Sequence, residues 1–131
     1  MNLLSKIIFI LALLFSISCS KKTYETNGET IYKTGKNLTG ESLLDRDASK
    51  IKFIKSCVFC HGKQGNAMNK VNLQWKFLSN PTNLSVPYTD ELFYRFLDHD
   101  LKSDGTKAAI GLIWKMNNQD KKDLLEYIKA L

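Results

Sequence analysis

The chain has 131 residues, of which 44% are hydrophobic, and its 19 Lys and Arg residues against 13 Asp and Glu give a formal net charge of +6. This length allows one folded domain rather than two. The basic residues are scattered and interleaved with acidic ones, so the surplus charge does not indicate a nucleic-acid partner.

Residues 1–18 predict an export signal. Lys6 precedes an unbroken apolar run over 7–15, and small residues follow before Cys19. The run is short for a membrane-spanning helix. With Cys19, the segment resembles the signals of bacterial lipoproteins, in which the Cys becomes the lipidated first residue of the mature chain. The resemblance implies a protein held at the membrane on the periplasmic side; plain cleavage and an uncleaved anchor are the alternatives.

Residues 19–40 are rich in Thr, Lys, Asn and Gly and have no apolar periodicity. This composition predicts a polar tether between the anchor and a folded domain over 41–131, with a short ordered piece around Ile31 and Tyr32 as the alternative.

The start of that domain predicts a short helix over 47–56. Apolar residues recur at a spacing of three, which places them on one helical face: Ala48, Ile51 and Ile54. Asp45 or Asp47 would cap its N-terminus.

The sequence Cys57-Val58-Phe59-Cys60-His61 follows. C-x-x-C-H is the attachment signature of c-type haem. Two thiols at this spacing can form thioethers with the two vinyl groups of one porphyrin, and the imidazole of His61 can bind the iron. The motif therefore predicts one covalent haem per chain.

Two other interpretations of the cysteine pair have less support. A zinc site needs two further ligands, and the remaining Cys and His are Cys19, in the export segment, and His99. A thioredoxin-like dithiol would be expected in a βαβ context, and no strand pattern surrounds the motif.

Three further helical segments are predicted after the motif. Residues 69–79 favour a partly helical connection whose apolar side chains either cover a haem edge or pack in the core. Both prolines then follow, at 81 and 87. Thr89 is a predicted N-cap, and the apolar face after it predicts a helix ending near 98–101. The last helix is predicted to begin at Asn117 or Asn118.

Over 41–131 the pattern resembles the small class I cytochromes c. The resemblance rests on the haem motif followed by Gly62, on Pro81-Thr82-Asn83-Leu84, on Thr89-Asp90-Glu91-Leu92, and on a terminal helix with Leu124-Leu125-Glu126-Tyr127-Ile128. It implies an all-α fold, with about three to four helices around one covalently bound haem.

The resemblance also assigns structural roles. In that family the first and last helices cross where a small residue and an aromatic meet an aromatic of the last helix, and Ser49, Phe53 and Tyr127 take those places. A proline carbonyl accepts a hydrogen bond from the iron-bound imidazole, which would pair Pro81 or its neighbour with His61.

The sixth iron ligand is left open. Class I members usually place an axial Met in the loop before the last helix, and here that loop, residues 106–112, contains none. The candidates are Met116, which suits core packing as well, His99, and Met68 in the loop after the motif. An empty or water-filled position is the remaining alternative.

These observations predict a non-enzymatic protein that transfers electrons between redox partners outside the cytoplasmic membrane. No paired carboxylates, Ser-His arrangement or phosphate loop accompanies the motif. The alternative function is small-molecule binding or sensing at an open iron position. A dithiol or metal module without haem is the third hypothesis.

Overall fold

The computed structural model describes residues 24–67 and 72–131. The helices of this part, in chain order, are α1 (Asn27–Thr34), α2 (Val58–His61), α3 (Trp75–Leu78), α4 (Asp90–His99) and α5 (Asn118–Lys129). Within the same residues there are isolated β-bridges but no β-strand, so the all-α class predicted from the sequence is confirmed. The predicted export signal and Cys19 lie outside the described residues and stay predictions.

Helix α1 corrects the predicted tether, because the segment 27–34 is folded. Thr26 caps the helix by accepting a 3.1 Å hydrogen bond from the amide of Glu29, and Gly35 ends it in a left-handed conformation with φ of 69°. Its buried residues are Gly28, Ile31 and Tyr32. An eight-residue helix is not stable alone in water, so α1 depends on the surface that it packs against.

The predicted helix over 47–56 does not form, and turns take its place. The backbone amide of Lys50 donates to the carbonyl of Gly111 at 2.8 Å, and the amide of Asp45 donates to that of Ile113 at 2.8 Å. These long-range bonds tie the segment to residues 111–113, so a distant part of the chain decides its backbone conformation. Asp45 does accept amide hydrogen bonds as predicted, but it caps a turn, not a helix.

Helices α4 and α5 confirm the predictions made for them. The side chain of Thr89 accepts from the amide of Leu92 at 3.3 Å, and that of Asn117 accepts from the amide of Asp120 at 2.8 Å. Acidic residues in the first turn of each helix stabilise it, because their negative charge lies at the positive end of the helix dipole. The partly helical connection predicted after the motif contains α3.

Helix α5 is the centre of the core and packs against α1, α3 and α4. Leu124, Leu125 and Ile128 are at most 1% exposed, and burying each contributes on the order of 1.5–3 kcal/mol. In the described part of the chain, no helix has the length and apolar character needed to cross a membrane.

Gly28 sets the distance between α1 and α5. A Cβ atom built on Gly28 would lie 2.0 Å from the carbonyl oxygen of Asp123 and 2.9 Å from Cβ of Tyr127. The two backbones can approach this closely only because Gly28 has no side chain. The ring of Tyr32, one turn further along α1, packs on the ring of Tyr127 with their centroids 5.2 Å apart.

The first and last helices therefore meet at Gly28, Tyr32 and Tyr127. The prediction that Ser49 and Phe53 belong to the first helix is wrong. Ser49 is 2% exposed and its hydroxyl accepts from the amide of Ile113 at 3.0 Å, while Phe53 is 69% exposed.

Candidate cofactor site

A single helical turn, α2, carries the motif. The amide of His61 donates to the carbonyl of Cys57 at 3.0 Å, and the amide of Gly62 donates to that of Val58 at 2.9 Å. Residues four apart on a helical turn lie on the same side. The imidazole of His61 is thereby placed one turn after the first thiol.

Gly62 ends this turn in a backbone conformation that favours glycine, with φ of 69°. A Cβ atom there would lie 2.6 Å from Cβ of Ala67, and the amide of Ala67 donates to the carbonyl of His61 at 3.0 Å. The hydroxyl of the buried Tyr32 donates to the carbonyl of Gly62 at 2.6 Å. The end of the motif is thus fixed both by its own loop and by α1.

Two adjoining cavities open beside the motif, of about 550 Å³ and about 60 Å³. Five residues line both: Cys60, His61, Leu73, Phe96 and Ile110. The smaller cavity also reaches Cys57 and the apolar side chains of α4 and α5, and the larger one extends to residues of 84–88 and 102–110. Two thiols and one imidazole therefore face a space with mainly apolar walls.

This donor set fits haem c. The thiols at the cavity edge suit thioether attachment, and the neighbouring imidazole suits an iron ligand. Apolar walls suit a porphyrin plate, since its burial removes apolar surface from water. Lys102 and Lys107 line the larger cavity and are exposed, so they suit the two propionates.

The electrostatics of Cys57 are unlike those of a reactive thiol. Burial raises the pKa of the Cys57 thiol to about 12, and the nearby Cys60 acts in the same direction. A redox dithiol needs a thiolate, which a raised pKa disfavours. In the described ranges 24–67 and 72–131, no three His, Cys, Asp or Glu side chains cluster so as to hold a metal ion.

The described candidates for the sixth ligand line neither cavity. Met116 is 8% exposed and belongs to the hydrophobic core, and His99 is exposed at the end of α4. Met68 lies outside the described residues. Pro81 is exposed and also lines neither cavity, whereas Leu84 lines the larger one.

Apolar side chains of 69–79 were expected beside the haem, and Leu73, Phe77 and Leu78 line the larger cavity. Sequence reasoning missed the walls that α4 and the loop 106–112 contribute. The apolar face after Thr89, which includes Phe96, predicts a helix but not a cavity wall, and the loop that contains Ile110 is singled out only for its lack of Met. The absence of Met from this loop indicated that another residue would face the motif. Which residue does so depends on the tertiary fold.

Comparison of the chain with protein-family models, with curated proteins and with solved structures finds no match.

Proposed function

We propose that the protein is a monohaem c-type cytochrome of the class I type that exchanges electrons with redox partner proteins outside the cytoplasmic membrane. The observation that carries this proposal is the joint exposure of Cys60 and His61 to both cavities, with Cys57 on the wall of the smaller one. A motif whose side chains faced solvent would have offered no place for the porphyrin.

The attachment chemistry needs nothing beyond the two thiols and the porphyrin. Cys57 and Cys60 would hold the group through thioethers, each formed by addition of an S–H bond across a vinyl double bond with the hydrogen going to the other vinyl carbon. No oxidant is consumed. A dithiol module would instead cycle through a disulfide, and the raised pKa of Cys57 disfavours Cys57 as the attacking thiolate of such a cycle.

The residues of the chain would hold and shield the group. His61 would bind the iron from one side, and Phe96 and Leu73, which line both cavities, would exclude water from the ring. When bound, haem supplies a one-electron couple at iron, with a potential set by axial ligands and burial.

The helix arrangement also supports the class I proposal. The resemblance predicts a small residue and an aromatic of the first helix against an aromatic of the last. Gly28 and Tyr32 of α1 meet Tyr127 of α5 in this way.

The proposed location follows from the sequence. Haem attachment in the family that the motif resembles takes place outside the cytoplasmic membrane, which agrees with the export signal over 1–18. With Cys19 lipidated, the protein would be a lipoprotein on the periplasmic side.

A second candidate function is small-molecule binding at the iron. It is favoured by one observation: apart from His61, no described residue on either cavity wall carries an imidazole or a thioether.

The test uses the protein expressed in a host able to attach haem. Reduced protein is expected to show the spectrum of haem bound through two thioethers, and voltammetry is expected to show a reversible one-electron wave. Cys57→Ala with Cys60→Ala should abolish both, and the control Phe59→Ala, which changes an exposed residue between the cysteines, should keep them. A wild-type protein without a haem band overturns the proposal.

A further inference from the structure

Ile110 shares the cofactor space with His61. Only five residues of the described chain line both cavities, and Ile110 is the one contributed by the loop 106–112. The other four come from the motif, from Leu73 and from α4. An aliphatic side chain therefore stands where that loop reaches the space that His61 faces.

The loop is held in place by backbone contacts. The amide of Ala108 donates to the carbonyl of Asp100 at 2.9 Å, and Leu101 forms a β-bridge with Lys107. The carbonyl of Gly111 accepts from the amide of Lys50 at 2.8 Å. Ile110 lies between these attachment points, so its position follows from the fold.

The charged side chains on the cavity walls are poor ligands for haem iron. Lys102 and Lys107 are exposed, and a protonated lysine has no lone pair to donate. The carboxylate of Asp104 is exposed and lies 3.9 Å from the ammonium of Lys102.

We propose that Ile110 keeps the sixth position of the haem iron open, and that this position binds a small neutral diatomic ligand in the ferrous state. This inference rests on the proposed haem attachment and adds the site and the class of ligand. The neutral class follows from the walls near Ile110, because Phe93, Phe96 and Leu112 line the same small cavity. A charged ligand buried among apolar side chains would have no partner to offset its lost hydration.

Carbon monoxide is the probe. The full chain, loaded with haem and reduced, is expected to be five-coordinate and high-spin before addition, and to convert completely to the carbon monoxide form. Resonance Raman spectroscopy reads the coordination and spin state directly. A ferrous protein that is six-coordinate and refuses carbon monoxide overturns the inference, whichever side chain supplies the ligand.

Ile110→Met tests the residue assignment. Methionine is close to isoleucine in volume and carries a thioether. The variant is expected to give a six-coordinate low-spin spectrum and a higher reduction potential than the wild type. If methionine occupies the iron nine-tenths of the time, the variant should bind carbon monoxide about tenfold more weakly than the wild type. Ile113→Met is the matched control, since Ile113 lines neither cavity, and it should leave the spectrum unchanged.

The outcomes separate the two proposals. Absence of any haem band overturns the proposed function itself. A haem band with a low-spin ferrous spectrum overturns only the open site. If carbon monoxide binds but Ile110→Met and Ile113→Met behave alike, the assignment of Ile110 to the sixth position is wrong.

Discussion

The hydroxyl of Tyr32 donates a 2.6 Å hydrogen bond to the carbonyl oxygen of Gly62, the residue that follows the motif. Tyr32 is fully buried and its ring packs on Tyr127 of α5. The side chain of Tyr32 thus connects the contact between α1 and α5 to the end of α2, the turn that carries the motif. The position of His61 consequently depends on a helix that lies 27 residues earlier in the chain, counted from Thr34 to His61.

Tyr32→Phe is expected to destabilise the protein by about 1–3 kcal/mol, because it leaves the carbonyl of Gly62 without this donor. The measurement is urea unfolding of the haem-loaded protein. Tyr127→Phe keeps the ring pair and serves as the control, with a smaller expected loss. Equal losses for the two variants would contradict the role given to the bond with Gly62.

Gly28→Ala tests the close approach of α1 and α5. Alanine favours an isolated helix by about 1 kcal/mol relative to glycine. Here its Cβ would meet the backbone oxygen of Asp123 at 2.0 Å, and overpacking of this kind costs about 1–3 kcal/mol or more. The expected result is net destabilisation.

A fall in Tm of roughly 10 °C would correspond to a loss of about 2 kcal/mol in a domain of this size. Thr30→Ala adds alanine to the same helix without that contact and should change stability by about 0.5 kcal/mol or less. A Gly28→Ala variant as stable as the wild type would show that the two helices do not cross here.

Asp100 predicts a pH dependence of stability. Burial raises the pKa of its carboxyl above the ordinary value, although the charge of Lys107 and the amides of Leu112 and Gly111 oppose this effect. The folded chain then holds the proton more tightly than the unfolded chain. Stability is full below the ordinary carboxyl pKa of about 3.9 and is lost as the pH rises through the raised value.

Asp100→Asn removes this titration while keeping a residue that tolerates the left-handed backbone at φ of 55°. The variant should gain stability relative to the wild type as the pH rises above about 4. Asp104→Asn is the control, and it should instead lose stability relative to the wild type over the same pH range. Hydrogen bonds from Thr106 lower the pKa of Asp104, so its charged form stabilises the fold. Urea unfolding across this pH range measures both, and parallel curves for wild type and Asp100→Asn would refute the prediction.

Cys19→Ala tests the predicted anchor. The wild-type protein should sediment with membranes and resist a high-salt wash, since stable attachment requires more than one acyl chain. The variant should appear in the soluble periplasmic fraction, and Ser20→Ala should behave like the wild type. Retention of Cys19→Ala in the membrane fraction would favour the uncleaved anchor.

The sequence predicted best those elements whose signals are local. Helices α4 and α5 have capping residues and long apolar faces, and both begin where those signals indicate. Helix α1 was missed because it is short and its closest contact is made by Gly28, which carries no hydrophobic signal. The Thr26-x-x-Glu29 capping pattern was the available indication of it.

The prediction of a helix over 47–56 failed for a different reason: the local pattern was present, but the helix is not. Its apolar spacing resembled one face of a helix, but the amide of Lys50 is bound by the distant Gly111. Tertiary contacts decided the local structure there, and no pattern within the segment could reveal them. The same holds for Ile110, whose place on both cavity walls depends on the fold of the whole loop.

The central claim is that haem is joined covalently to Cys57 and Cys60 beside His61. The most direct test is the intact mass of the mature protein, purified under denaturing conditions from a host able to attach haem. We predict the mass of the polypeptide, with any lipid, plus one haem. A mass equal to that of the polypeptide and lipid alone would contradict the account.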